Sequence, residues 1–140
     1  MGGLNIYMVG VVATDLEASA LFYRRLGVDV PDVTGKRHVE VRMGELTFFL
    51  TTPEQNRAWD PNRPEPGTGG YRMVLEFYLE EPEALDAKYA ELVGYGYASH
   101  QEPYWVTPNL RFAMIDDPDG NSILLSAYTE GAKPDGPVSF

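Results

Sequence analysis

The chain has 140 residues, no cysteine and a formal net charge of −10. This length suffices for one domain with a sizeable core, and the missing thiols exclude disulfides, thiolate nucleophiles and zinc–thiolate sites. The acidity opposes binding to nucleic acid or anionic membranes; it reads as a solvated surface that aids solubility, and it permits a cationic small molecule or a basic partner without demanding one. The opening MGGLNIYMVGVVATDLE has no basic segment and meets Asp15 too soon for a membrane span, so a cytoplasmic protein is expected.

Residues 4–12 form an apolar run around Gly10 and predict a buried strand. Thr14-x-x-Glu17 is a capping-box pattern that starts a helix at Thr14 or Asp15. Ser19, Phe22, Tyr23 and Leu26 share one face of that helix, and Gly27 ends it. A further short strand is expected near residues 28–30. Residues 38–43 and 46–51, joined at Gly44-Glu45, read as a hairpin, with His38 at the surface. Residues 53–70 hold four prolines and three glycines and predict a long linking loop, in which Trp59 argues for some packing.

Residues 71–79 predict a second opening strand. Pro82 suits the first turn of a helix running to about Leu92, with Leu85, Tyr89 and Leu92 on its buried face. Residues 100–109 predict an irregular aromatic loop in which His100 is solvated or caps a neighbour. Residues 110–115 and 122–128 predict a hairpin across Asp117-Pro118-Asp119-Gly120. The tail EGAKPDGPVSF is expected to be a mobile end or a dimer arm. The two helices repeat one another at an offset of 66 residues: Glu17 meets Glu83, Ala18 meets Ala84, Tyr23 meets Tyr89 and Leu26 meets Leu92.

With DLEASALFYRRLGV opening the first half and DDPDGNSILL closing the second, residues 4–127 resemble the vicinal oxygen chelate superfamily. That superfamily includes glyoxalase I, extradiol dioxygenases, fosfomycin-resistance enzymes and bleomycin-resistance proteins. The stretches WDPNRPEPGTGGYR, LDAKYAELVGYGYASHQEP and RFAMIDDPDGN are most similar to antibiotic-sequestering proteins of the mitomycin-binding type. The resemblance implies an α+β fold of paired βαβββ modules, whose curled mixed sheet forms a cup with the helices outside. It implies one domain over residues 1–140, with module one at about 4–52, the linking loop at 53–70, module two at about 71–128 and a tail at 129–140. It also implies a homodimer.

Metal-dependent members of that superfamily carry His or Glu at positions that match Met8, Val74 and Leu124 here, with Phe48 at the repeat-related position. All four are apolar, so no metal and no cofactor is expected. Strand alternation groups Ile6 with Met8, Leu46 and Leu50 with Phe48, Glu76 and Tyr78 with Val74, and Ser122 and Ser126 with Leu124. By the same resemblance Phe112 and Met114 point into the cup, and Tyr104 and Trp105 lie in the loop leading to them. The expected function is metal-free binding of a planar aromatic antibiotic or metabolite. Met8, Phe48, Val74, Phe112, Met114 and Leu124 serve as walls, Tyr104 and Trp105 stack on the ligand, and Glu76 is the polar anchor for a cationic or hydrogen-bonding group. Other readings stay open here: a lyase, isomerase or dioxygenase with displaced ligands or Glu76 acid–base chemistry, a structural or regulatory dimer with a vestigial cup, and a collapsed cup whose lining is simply core.

Overall fold

The computed structural model describes residues 6–67 and 73–136. The chain divides into two units, residues 1–69 and 70–140. Leu4, Asn5, Tyr71 and the last four residues of the predicted tail lie outside the described residues.

The first unit runs β1 (Met8–Val12), α1 (Leu16–Leu26), β2 (His38–Met43), β3 (Leu46–Thr51) and α2 (Pro53–Trp59). Its sheet has the order β1-β3-β2, with β1 parallel and β2 antiparallel to β3. The predicted opening strand is shorter than its apolar run, because Ile6 and Tyr7 stand 73% and 76% exposed ahead of it. Asp15, rather than Thr14, caps α1 by accepting from the Ala18 N–H at 3.0 Å. The helix ends at Gly27, whose φ of +126° is cheap only for glycine. Its fully buried Phe22 and Tyr23 meet edge to face at 5.0 Å, and the Tyr23 ring lies 5.1 Å from that of Phe48 on β3. No strand forms at residues 28–30. The Arg24 guanidinium instead donates to the carbonyls of Val30 (2.9 Å) and Pro31 (2.7 Å), which ties this segment back to α1.

Residues 53–70 are not all loop, since α2 opens them. Thr52 accepts from the Gln55 N–H at 3.2 Å and Pro53 takes the first helical turn, so a cap and a preset φ start the helix where proline content predicts none.

The second unit runs β4 (Val74–Tyr78), α3 (Pro82–Gly94), β5 (Ser99–Thr107), β6 (Leu110–Asp116) and β7 (Ser122–Tyr128). Its sheet has the order β4-β7-β6-β5, with β4 parallel to β7 and the other pairs antiparallel. The predicted aromatic loop is therefore a strand. Register shifts within Ser99–Gln101, Gln101–Tyr104 and Trp105–Thr107 break its alternation, which hid it from a period-2 reading. Helix α3 packs on β6 and β7 and buries Leu85 and Leu92 completely, worth about 2 kcal/mol each. Ala113, Ile115, Ile123, Leu125 and Ala127 are fully buried on the strands it covers. Tyr89 reaches from α3 to share a 2.6 Å hydrogen bond with the Ser99 hydroxyl. The α+β class stands as expected. The second unit is the βαβββ module, while the described part of the first is βαββ followed by α2.

The β6–β7 turn is organised by Asp117, only 4% exposed. One carboxylate oxygen accepts from the N–H groups of Asp119 (2.9 Å) and Asn121 (2.8 Å), and the other accepts from Asn121 Nδ2 at 2.8 Å. Gly120 closes the turn at φ +83°. Asp117→Ala would strand these donors in a part-buried turn. It is expected to lower unfolding free energy by about 2–3 kcal/mol in urea denaturation, whereas an exposed change such as Asp135→Ala should leave it within about 0.5 kcal/mol.

Candidate functional site

Each sheet has one face covered by a helix, and strand pairing decides which side chains lie on the other. In the second unit Glu76 pairs with Leu124 and Leu124 with Met114, while Tyr78 and Phe112 both pair with Ser126. Tyr104 pairs with Phe112, and their rings meet edge to face at 6.3 Å. Val74, Glu76, Tyr104, Phe112, Met114 and Leu124 therefore share the face opposite α3. Val74 and Tyr104 stand 41% and 39% exposed, Phe112 and Met114 are half-buried, and Leu124 lies sunk between its neighbours.

Trp105 does not join them. It pairs with Arg111 on the face that α3 covers, where the Arg111 guanidinium carbon lies 5.1 Å from the indole centroid and its Nε donates to Asp86 of α3 at 2.7 Å. Adjacent strand residues face opposite ways, so Tyr104 and Trp105 cannot both stack on one ligand from this strand. Glu76 is exposed and has no ion-pair partner among the described residues, so it stands as a solvated carboxylate rather than a desolvated anchor. The Ser122 and Ser126 hydroxyls, flanking Leu124, are buried and lack a hydrogen-bond partner among the described residues. Hydroxyls left so are uncommon in a packed interior. His100 binds Asp116 through Nδ1 at 3.1 Å, a capping role at the far end of β6.

In the first unit Met8 pairs with Thr47, which puts Met8 on the face of Thr47 and Phe49. Phe48 pairs with Val9, points to α1 and is 3% exposed against Tyr23. Phe48 is thus core, not cup wall, and the reason is one residue of register. Met8 pairs with Thr47 as Val74 pairs with Ser122, so the counterpart of Leu124 is Phe49.

The face of Phe49 holds a cluster that the sequence reading missed. The Phe49 ring lies 5.1 Å from that of His38, and Trp59 of α2 meets both edge-on, at 5.3 Å from His38 and 6.4 Å from Phe49. His38 Nε2 binds Glu40 at 2.7 Å, while its Nδ1 is buried without a partner among the described residues. Gly10 makes room for this stack, because a Cβ there would fall 2.0 Å from Phe49 Cζ. A glycine opposite an aromatic residue was the available signal, but only once the register was known.

A divalent ion at the expected positions would need nitrogen or oxygen donors from β1 and β3 or from β4 and β7. Those positions carry Met8 and Phe49 in one unit, and Val74 and Leu124 in the other. Among the described residues no three His, Asp or Glu side chains gather to ligate a metal. The donor chemistry at the expected positions does not fit one.

Residues 5–125 match the family model described as the Glyoxalase/Bleomycin resistance protein/Dioxygenase superfamily. The chain is similar to the solved glyoxalase/bleomycin resistance protein from Albidiferax ferrireducens T118, with 33% identity over 89% of this chain and 97% of that one and a TM-score of 0.61. It shares its fold with a glyoxalase-related enzyme from Fulvimarina pelagi (19% identity, 97% of each chain, TM-score 0.75). It also shares it with a lactoylglutathione lyase from Agrobacterium tumefaciens (23% identity, 91% of this chain and 96% of that one, TM-score 0.65). No curated protein matches the chain. These likenesses do not single out the mitomycin-binding type.

Gly10→Ala should force the Phe49 ring off its seat and disturb the contact with His38 and Trp59. The expected results are a loss of about 1–3 kcal/mol in stability and a changed Trp59 emission spectrum. Both effects should shrink in a Phe49→Leu background.

Proposed function

We propose a function from this premise: the chain belongs to the Glyoxalase/Bleomycin resistance protein/Dioxygenase superfamily, and it binds a planar aromatic small molecule on the open face of its second sheet without transforming it. The observation that carries the reading is the asymmetry of that sheet. One face is closed by α3 over fully buried aliphatic side chains. The other presents Tyr104, Phe112, Met114 and Val74, none of them buried, around a floor of Leu124.

Aromatic faces stack on planar rings, and a thioether adapts to irregular outlines. Each stack contributes about 1 kcal/mol beyond the area it removes from water. Ser122 and Ser126 leave hydrogen-bonding capacity beside the floor, and Glu76 adds a negative charge at the rim for a ligand that carries a positive one. The apolar residues at the superfamily's metal-ligand positions favour sequestration over lyase or dioxygenase chemistry. An antibiotic or a related aromatic metabolite fits this surface. Among the described residues no helix is long and apolar enough to cross a membrane. The same reading has the protein act as a homodimer in the cytoplasm, on a small molecule rather than on nucleic acid or lipid.

Calorimetric titration with a panel of planar aromatic compounds, charged and neutral, tests the reading. Binding at micromolar concentration is expected for at least one. Tyr104→Ala and Phe112→Ala should each weaken it about five- to tenfold, the worth of one stack plus some lost area. The reading falls if no compound binds, if these changes leave affinity unaltered, or if protein purified without chelator carries stoichiometric nickel, zinc, manganese or iron.

A further inference from the structure

We propose a second binding site, for an organic ammonium group, in the cleft at the C-terminal ends of β4 and β7, where Lys133 of the tail stands in for the ligand. The cleft encloses about 880 Å³ and is lined by Tyr78, Trp105, Glu80, Glu83, Glu130 and Lys133, among others. This volume is within the usual range for small-molecule pockets.

Carboxylates alone would not define a site here. Glu83 sits in the first turn of α3 and Glu81 at its N-cap, where the helix dipole accounts for them. Glu80 and Glu130 lie outside the helix, and neither has an ion-pair partner among the described residues. The independent observation is the cation already seated in the cleft. The Lys133 ammonium lies 4.0 Å from the centroid of the Tyr78 ring. It engages that ring face although four glutamates line the same cleft, and no carboxylate of the described residues lies within ion-pair distance of it. An ammonium over an aromatic face, in a field of surplus negative charge, is the geometry by which proteins recognise alkylammonium ligands.

The tail is built to deliver this group. Thr129 pins it to the β5–β6 turn, with its N–H donating to the Asn109 carbonyl and its hydroxyl to Asn109 Oδ1, both at 2.9 Å. The Ala132 N–H then donates to the Thr129 carbonyl at 3.0 Å, across Gly131 at φ +77°. This turn brings Lys133 back over Tyr78. The other ring of the cleft, Trp105, is already covered by Arg111, which Asp86 holds in place. Lys133 is exposed and unpaired with any described carboxylate, so it is the cation that a ligand would displace. At such an exposed site the displacement lowers ligand affinity roughly two- to fivefold.

The test is an NMR titration of the whole protein with choline at low ionic strength, beside its neutral isostere 3,3-dimethylbutan-1-ol. Choline is expected to bind saturably and to shift the Tyr78 ring resonances, and the neutral isostere is not. Lys133→Gln, a change on an exposed tail, should tighten choline binding two- to fivefold. Glu130→Gln should weaken it about twofold, and Tyr78→Leu should remove it. The proposal is overturned if Lys133→Gln leaves choline affinity unchanged or abolishes binding, or if the neutral isostere binds as well as choline. Choline carries no planar ring, so its failure says nothing about the open face of the sheet, and failure of the planar compounds leaves this test standing.

Discussion

Parallel pairing between the outer and the last strand of each unit is the constraint on which the rest depends. Side chains alternate along a strand, so a pairing register is also a sorting rule. With Met8 opposite Thr47 and Val74 opposite Ser122, every neighbouring residue is assigned to the helix or to the open side. The helices then reinforce the choice, since α1 brings Tyr23 to Phe48 and α3 brings Leu85 and Leu92 to the second sheet. A slip of one residue would expose Phe48 and bury Phe49, and no local rearrangement could repair it.

That dependence explains which parts could be read from the sequence. The β2–β3 hairpin, α1, α3 and β7 were legible because periodicity, caps and turn residues agree over their whole length. The shared face of Val74 and Glu76 was legible from alternation, because β4 pairs without irregularity, whereas Phe112 and Met114 were placed by the resemblance. Phe48 was assigned to the wrong face because a sequence repeat fixes an offset between helices, whereas facing residues are fixed by strand pairing, which a sequence does not display. Trp105 failed for another reason: residues 100–109 read as a loop, which carries no alternation, whereas in β5 the adjacent Tyr104 and Trp105 face opposite ways. Helix α2 was hidden because Pro53 reads as a loop former unless the Thr52 cap is given its weight.

The two open faces differ in character although the units repeat one another. In the first, Gly10 lets Phe49 lie down beside His38 and Trp59, so the aromatic surface is spent on internal stacking. In the second, the position corresponding to Gly10 is Glu76, and Tyr104 and Phe112 make a single edge-to-face contact at 6.3 Å. The aromatic residues of the second face are therefore the ones on which the proposed binding rests. The tail extends the same logic to the end of that sheet, where a lysine rests on a ring whose nearest acidic groups remain uncompensated.

The irregular β5 has a bearing on assembly. It is an edge of its sheet, and a regular edge offers an unpaired row of N–H and C=O groups to any extended chain. Here Pro103 removes one donor, and the repeated shifts around it prevent a partner strand from keeping step over more than a few residues. This border is capped against growth, so copies of the chain cannot join there into a continuous sheet. At this border, contact with any other chain is left to side-chain surfaces, set by shape and charge rather than by backbone pairing.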